Sequence, residues 1–281
     1  MLKKRLISCL LLRNDLIVQS IKFKKYLPIG KPKFAIEFAS RWDVDEIILL
    51  DISSSPRDEL IHPSTIENLC ESCFVPLTVG GRISSIYDAK EILKSGADKV
   101  CLNTYALRNP KLITELADLF GTQCVVLSID VNIDSSGNYY VYSHNKEVVN
   151  EPNPIKWAMK CEKLGAGEIF LNTVYRDGTK KGYDIDLIKK ISNAINIPLI
   201  VQGGVGHFNH FKDGINAGAS AVSASNIFQH LEHSTIIAKA HMYQSGIDIR
   251  LDSEANYANR KFDDDGRLRM LDQRTLSNLE L

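Results

Sequence analysis

Apolar residues along this chain gather into short continuous runs, rich in leucine and β-branched side chains, separated by longer stretches of helical period. The runs fall at 5–12, 46–51, 75–79, 99–103, 124–130, 168–172, 197–202 and 221–225. Amphipathic stretches follow them at 34–42, 64–72, 86–95, 110–120, 154–164, 185–194, 207–217 and 235–243. Strands without polar alternation are buried on both faces, as a parallel sheet requires. Eight such units in a chain of this length predict an α/β protein of the (β/α)8 (TIM) barrel class, with a doubly wound open sheet as the alternative. The first run, RLISCLLL, breaks at Arg13-Asn14-Asp15. That leaves Leu11 as an inward-facing residue at the barrel mouth, where an enzyme is expected to place something polar.

The two halves of the chain echo each other. VPLTVGGRI (75–83) resembles IPLIVQGGVG (197–206), and each is followed by Gly-Ala and a strand ending in asparagine, Asn103 or Asn226. This predicts an internal half-barrel repeat. Gly80-Gly81 and Gly203-Gly204 would let backbone amides approach an anion closely, with the next helix N-terminus adding its dipole. Two phosphate-binding loops are therefore expected. DSSGNYYVYSH (134–144) reads as a β-hairpin after the fifth strand, turning at Ser136-Gly137. The barrel is assigned to 1–250. The charged tail, 251–281, lacks sustained helical periodicity and is expected to be flexible or to order only against a partner.

Lysine plus arginine equals aspartate plus glutamate at 34 each, which argues against nucleic-acid or acidic-membrane binding driven by bulk charge. No apolar run approaches the roughly 20 residues of a membrane span. The basic start, Met1 to Arg5, precedes a run too short for a signal peptide and without a small-residue cleavage site. A cytoplasmic protein is expected. Cys70 and Cys73 form a C-x-x-C, but no second pair or histidine spacing accompanies it, so thiols packed at a helix end are expected rather than a redox or metal centre. No metal or cofactor is expected.

LTVGG, GADKVCLNT, LGAGEIFLN, RDGTKKGYD and FGTQCVVLSID resemble HisF, the cyclase subunit of imidazole glycerol phosphate synthase, in order and spacing from Met1 to about Arg250. The resemblance implies a (β/α)8 barrel that takes ammonia from a HisH-like glutaminase docked on its N-terminal face. In that family the ammonia reacts with a bis-phosphorylated ribulosyl substrate at the opposite face. The chemistry needs two carboxylates at the ends of the first and fifth strands, to divide proton donation and acceptance. Here the fifth-strand member is Asp130, but the first-strand position is Leu11, which moves no proton. Other departures are Gln19 for a lysine, Arg82 for the third glycine of VGGGI, Tyr175 for the first aspartate of DRDGT, Asn172 for threonine, and Gln202 and Asn226 for serines. Candidate substrate or phosphate contacts are Asp51, Gly81, Asn103, Thr104, Asp177, Gly178, Gly203, Gly204, Ser225 and Asn226. Strand-end polar residues such as Asp51 and Asn103 could equally cap helices or join buried networks.

The opposite end keeps the family's pattern. Arg5, Glu46, Lys99 and Glu168 match the salt-bridged ring that gates ammonia in the family; the bland alternative is that they close the barrel floor. Asp98, beside Lys99, is a candidate docking contact for the glutaminase. SCLLLRND, SIKFKKYLPIGKP and GEIFLN resemble the WbuZ-type, second-copy HisF-like branch of bacterial surface-polysaccharide clusters. That branch implies ammonia conduction for a separate sugar amidotransferase. The alternatives are an authentic histidine-pathway cyclase and a non-catalytic phosphosugar-binding scaffold; a HisA-like isomerase is disfavoured by the intact gate positions.

Overall fold

In the computed structural model, which describes residues 3–53, 60–143, 152–229, 234–251, 257–262 and 264, β1 (Arg5–Arg13) divides its side chains between two cores. Leu6, Leu10 and Leu12 face the surrounding helices, while Ile7, Cys9 and Leu11 face the barrel axis. This follows from the two-residue repeat of a strand. A two-stranded ribbon comes next, β2 (Leu16–Ile21) and β3 (Lys25–Gly30), and then α1 (Pro32–Arg41). The chain proceeds through β4 (Glu46–Asp51), α2 (Pro63–Cys70), β5 (Leu77–Gly80), α3 (Ile86–Lys94), β6 (Lys99–Leu102), α4 (Thr104–Arg108) and α5 (Lys111–Phe120). The second half runs β7 (Val125–Ile133), β8 (Tyr139–Val141), α6 (Pro154–Lys163), β9 (Glu168–Thr173), α7 (Ile185–Ser192), β10 (Leu199–Gln202), α8 (Asn209–Asn216), β11 (Ala221–Ala224) and α9 (Ser234–Gln244).

Eight strands, β1, β4, β5, β6, β7, β9, β10 and β11, pair in parallel in that order, and β11 pairs back to β1. The expected (β/α)8 barrel is therefore closed, and the open-sheet alternative is excluded. Helix starts follow local chemistry: proline opens α1, α2 and α6, Ser85 and Asp88 form a capping box on α3, and Asp184 accepts from Leu187 N on α7. The predicted hairpin is present as β7 with β8, turning through Gly137; His144 lies outside the described residues.

The ribbon β2–β3 was not anticipated. Its signal was the break itself: Arg13 pairs Leu16, and the intervening Asn14 and Asp15 have φ of 49° and 64°. Two left-handed residues between antiparallel strands make a tight hairpin turn, which asparagine and aspartate favour. The chain thus does not leave the barrel mouth after Leu12 but folds back over it. Of the charged tail, residues 252–256, 263 and 265–281 lie outside the described residues. Phe262 meets the His241 ring edge-on at 5.3 Å, and the Gln244 amide donates to the Arg260 carbonyl at 2.6 Å, both against α9. No described helix is long and apolar enough to cross a membrane.

Candidate functional site

Parallel strands put all their starts at one end of the barrel and all their ends at the other, and the sequence-predicted residues separate accordingly. At the starts, the first residues of β1, β4, β6 and β9 meet. Arg5 Nη1 lies 2.6 Å from Glu46 Oε1 and 3.0 Å from Glu168 Oε1. Lys99 Nζ lies 3.0 Å from Glu46 Oε2 and 3.2 Å from Glu168 Oε1. The four form one alternating ring of charge. Burial works against the Arg5 guanidinium, but Glu168 and Glu46 together hold its pKa above the ordinary value. Glu168 Oε2 is buried with no hydrogen-bond partner. Asp98 is exposed beside the ring, and its Oδ2 accepts from Leu77 N at 2.8 Å, capping the start of β5. Between this ring and the mouth the axis is filled by Ile7, Cys9, Ile48, Cys101, Val126, Phe170 and Ile200.

At the strand ends the mouth holds two cavities. One, of about 300 Å³, is lined by Leu11, Asp51, Gly81, Arg82, Asn103, Thr104, Asp130 and Asn172, with Tyr26, Tyr105 and Arg108. The other, of about 450 Å³, is lined by Asp177, Gly178, Gln202, Gly203, Gly204, Ser225 and Asn226, with Lys180 and His207. The hairpin tip lies between them. Ser20 Oγ donates to Asp177 Oδ2 at 2.6 Å, Phe23 N to the same oxygen at 3.3 Å, and Asn226 Nδ2 to the Ser20 carbonyl at 3.1 Å. Lys22 and Phe23 are left-handed, φ 53° and 55°, which costs an ordinary residue roughly 1–3 kcal/mol; their amides are held by Asp177.

Asp130 sits at the base of the first cavity. Burial pushes its carboxyl up to about 6, opposed by hydrogen bonds from Asn103, Asn172 and Ser128. Asn103 Nδ2 donates to Asp130 Oδ2 at 2.8 Å. Asp177 is likewise raised by burial, against the hydrogen bonds from Ser20, Phe23 and Lys22. Leu11, 9% exposed, packs with the apolar axis residues and with Tyr26, Leu50 and Ile52. The mouth can therefore offer a proton-transfer group near neutrality at Asp130, but β1 supplies no carboxylate opposite it.

Comparison with known proteins decides the ancestry. Residues 5–234 match the family model described as Histidine biosynthesis protein. The chain belongs to that family. It is 45% identical over 268 residues to the "Putative imidazole glycerol phosphate synthase subunit hisF2" of Vibrio vulnificus (strain YJ016), covering 95% of this chain and 98% of that protein. It is thus a HisF-like, second-copy member of the histidine biosynthesis family.

For a HisF-like chain, the departures now have positions. Gln19 lies in β2, paired with Leu27. Tyr175 turns away from the mouth: its hydroxyl and that of Tyr139 both donate to Asp184 Oδ2, tying β8 to the start of α7. Arg82 does not reach into open space; its Nη1 is 3.1 Å from Asp51 Oδ2. One alignment within the chain needs correction. Asn103 was matched to Asn226, but Thr78 pairs Lys99 and Ile200 pairs Ala221, so Asn103 corresponds to Ser225 and Thr104 to Asn226. The extra residue before the glycines in the second half misled the comparison. Ser20, Phe23, Tyr26, Lys180 and His207 were missed as cavity residues; the Asn14-Asp15 turn and the histidine following GGVG were the available signals. Cys70 ends α2 and Cys73 Sγ donates to the Val75 carbonyl; burial pushes both thiols up, Cys70 to about 11, the reverse of an activated thiolate.

Proposed function

We propose that this barrel accepts ammonia from a HisH-like glutaminase at its strand-start face and passes it along the axis, for amidation of a surface-polysaccharide sugar by a separate amidotransferase. The observation that carries this is the contrast between the two ends. The charged ring Arg5–Glu46–Lys99–Glu168 is complete, whereas Leu11 leaves Asp130 without the facing carboxylate that cyclisation needs. An apolar axis suits neutral ammonia, since ammonium would lose its hydration there at a cost of several kcal/mol. Asp98 beside the ring is the docking contact. The similarity to a protein named as a synthase subunit supports a glutaminase partner.

The test is reconstitution with the cognate glutaminase. Complex formation should stimulate glutamine hydrolysis, and Asp98→Asn, which removes the charge but keeps an acceptor for Leu77 N, should weaken the complex. Absence of any complex at micromolar concentrations would leave the scaffold alternative standing. The authentic cyclase is kept as a second reading because Asp130, with its carboxyl near neutrality, still occupies the mouth.

A further inference from the structure

The ribbon β2–β3 has one face turned to the barrel mouth and one turned away from it. On the inner face, Val18 and Tyr26 pack with the apolar axis residues and Ser20 holds Asp177. Side chains alternate along a strand, so Lys25 and Leu27 stand on the opposite face of β3 from Tyr26. Leu27 is 52% exposed, Ile29 at the following bulge 43%, and Phe34 in the first turn of α1 68%. Single exposed apolar residues are ordinary, but three within eight positions on one projecting ribbon and its exit form a patch that asks for an occupant. Lysine and proline at a sheet edge also guard against strand addition, yet that task needs no leucine or isoleucine exposed beside them.

The charge of this segment is of one sign. Lys22, Lys24, Lys25, Lys31 and Lys33 are its ionised residues, with no aspartate or glutamate between Asp15 and Glu37. All five are exposed. Lys33 Nζ lies 3.6 Å from Glu71 Oε2, and the other four meet no carboxylate among the described residues. The tip that carries Lys22 and Lys24 is fixed in place. Lys22 N donates to the Asp177 carbonyl at 3.1 Å, Phe23 N to the Asp177 carboxylate at 3.3 Å, and Asn226 Nδ2 to the Ser20 carbonyl at 3.1 Å. Lysines held together without counter-charges, around exposed aliphatic side chains, suit an anionic surface with an apolar layer beneath it.

We propose that the outer face of this ribbon docks the barrel on an anionic lipid surface. Leu27, Ile29 and Phe34 enter the boundary between headgroups and acyl chains, while the lysine ammoniums stay among the lipid phosphates on their flexible stems. A protein partner fits less well, because lysine is depleted at protein interfaces, where arginine and aromatic residues are enriched. The zero net charge of the chain excludes attraction by bulk charge, so the pull is confined to this face. The mouth then faces the lipid and the ring of Arg5, Glu46, Lys99 and Glu168 faces water. This does not depend on ammonia passage.

The test is cosedimentation of the full chain with vesicles of phosphatidylethanolamine and phosphatidylglycerol, in about a 3:1 ratio, against vesicles of phosphatidylcholine alone. The chain should pellet with the anionic vesicles and not with the zwitterionic ones. Lys24→Gln with Lys25→Gln should weaken binding about thirtyfold, at roughly fivefold per lysine, and Leu27→Ser about tenfold. Thermal unfolding of each variant checks that these exposed substitutions leave the fold intact. Lys163→Gln with Lys189→Gln removes the same charge from exposed positions on α6 and α7 and should change binding less than about twofold. No pelleting with the anionic vesicles, equal pelleting with both kinds, or an equal loss in the two lysine pairs would overturn the proposal. So would a dimer in analytical ultracentrifugation that Leu27→Ser dissociates, without vesicle binding, since the face would then belong to a second copy of the chain.

Discussion

Asp130→Asn offers a quantitative check on the electrostatics of the mouth. The Asp130 carboxyl is raised from 3.8 to about 6, first by burial. A group whose pKa is raised by folding favours the folded state only while protonated. Its contribution is therefore fully present below about pH 4 and lost as pH rises through about 6. That rise corresponds to about 3 kcal/mol, of which roughly 1 is already lost at pH 4.5. Asparagine keeps the shape and an acceptor for Asn103 but carries no charge. Urea denaturation of both proteins at pH 4.5 and 7.5 yields the stability difference at each pH. Constant packing effects and other titrating groups cancel when those differences are compared. The variant should gain about 2 kcal/mol relative to the parent between pH 4.5 and 7.5. An equal difference at both pH values, or a change of opposite sign, would refute the claim that burial dominates at Asp130.

Three further outcomes follow from individual contacts. Lys99→Met removes one cation from the ring and leaves Glu46 and Glu168 sharing Arg5, so denaturation should show a loss of about 3 kcal/mol; less than 1 would mean the ring is solvated. Asp98→Ala should cost about 1–2 kcal/mol by uncapping Leu77 N, while Asp98→Asn should cost less than half of that. Tyr175→Phe should lower stability by about 1 kcal/mol through its lost bond to Asp184, as read by thermal unfolding; no change would mean that the hydroxyl is solvated.

The barrel was legible because its strands are continuous apolar runs, and the closing pair of β11 with β1 follows from the count of eight. The ring was legible only through the family resemblance, which matched Arg5, Glu46, Lys99 and Glu168, and strand pairing then brings these four strand-first residues together. The mouth was less so, because its geometry depends on where long side chains turn. Nothing in the order of residues says that Arg82 bends to Asp51, or that Tyr175 joins Tyr139 on Asp184. The hairpin over the mouth was hidden by a two-residue turn without glycine, at Asn14-Asp15. The one-residue offset between the halves could be set only by strand pairing, a non-local property.

The most direct trial of the contrast between the barrel's ends uses the purified chain, ammonium salt and the bis-phosphorylated ribulosyl precursor of imidazole glycerol phosphate. The account predicts no measurable cyclisation, for the native chain or for Leu11→Asp, because Gln19, Arg82 and Tyr175 also depart from the family's pattern, Arg82 being bound to Asp51 and Tyr175 to Asp184. Turnover by the unaltered chain, or its appearance on that single substitution, would contradict the account.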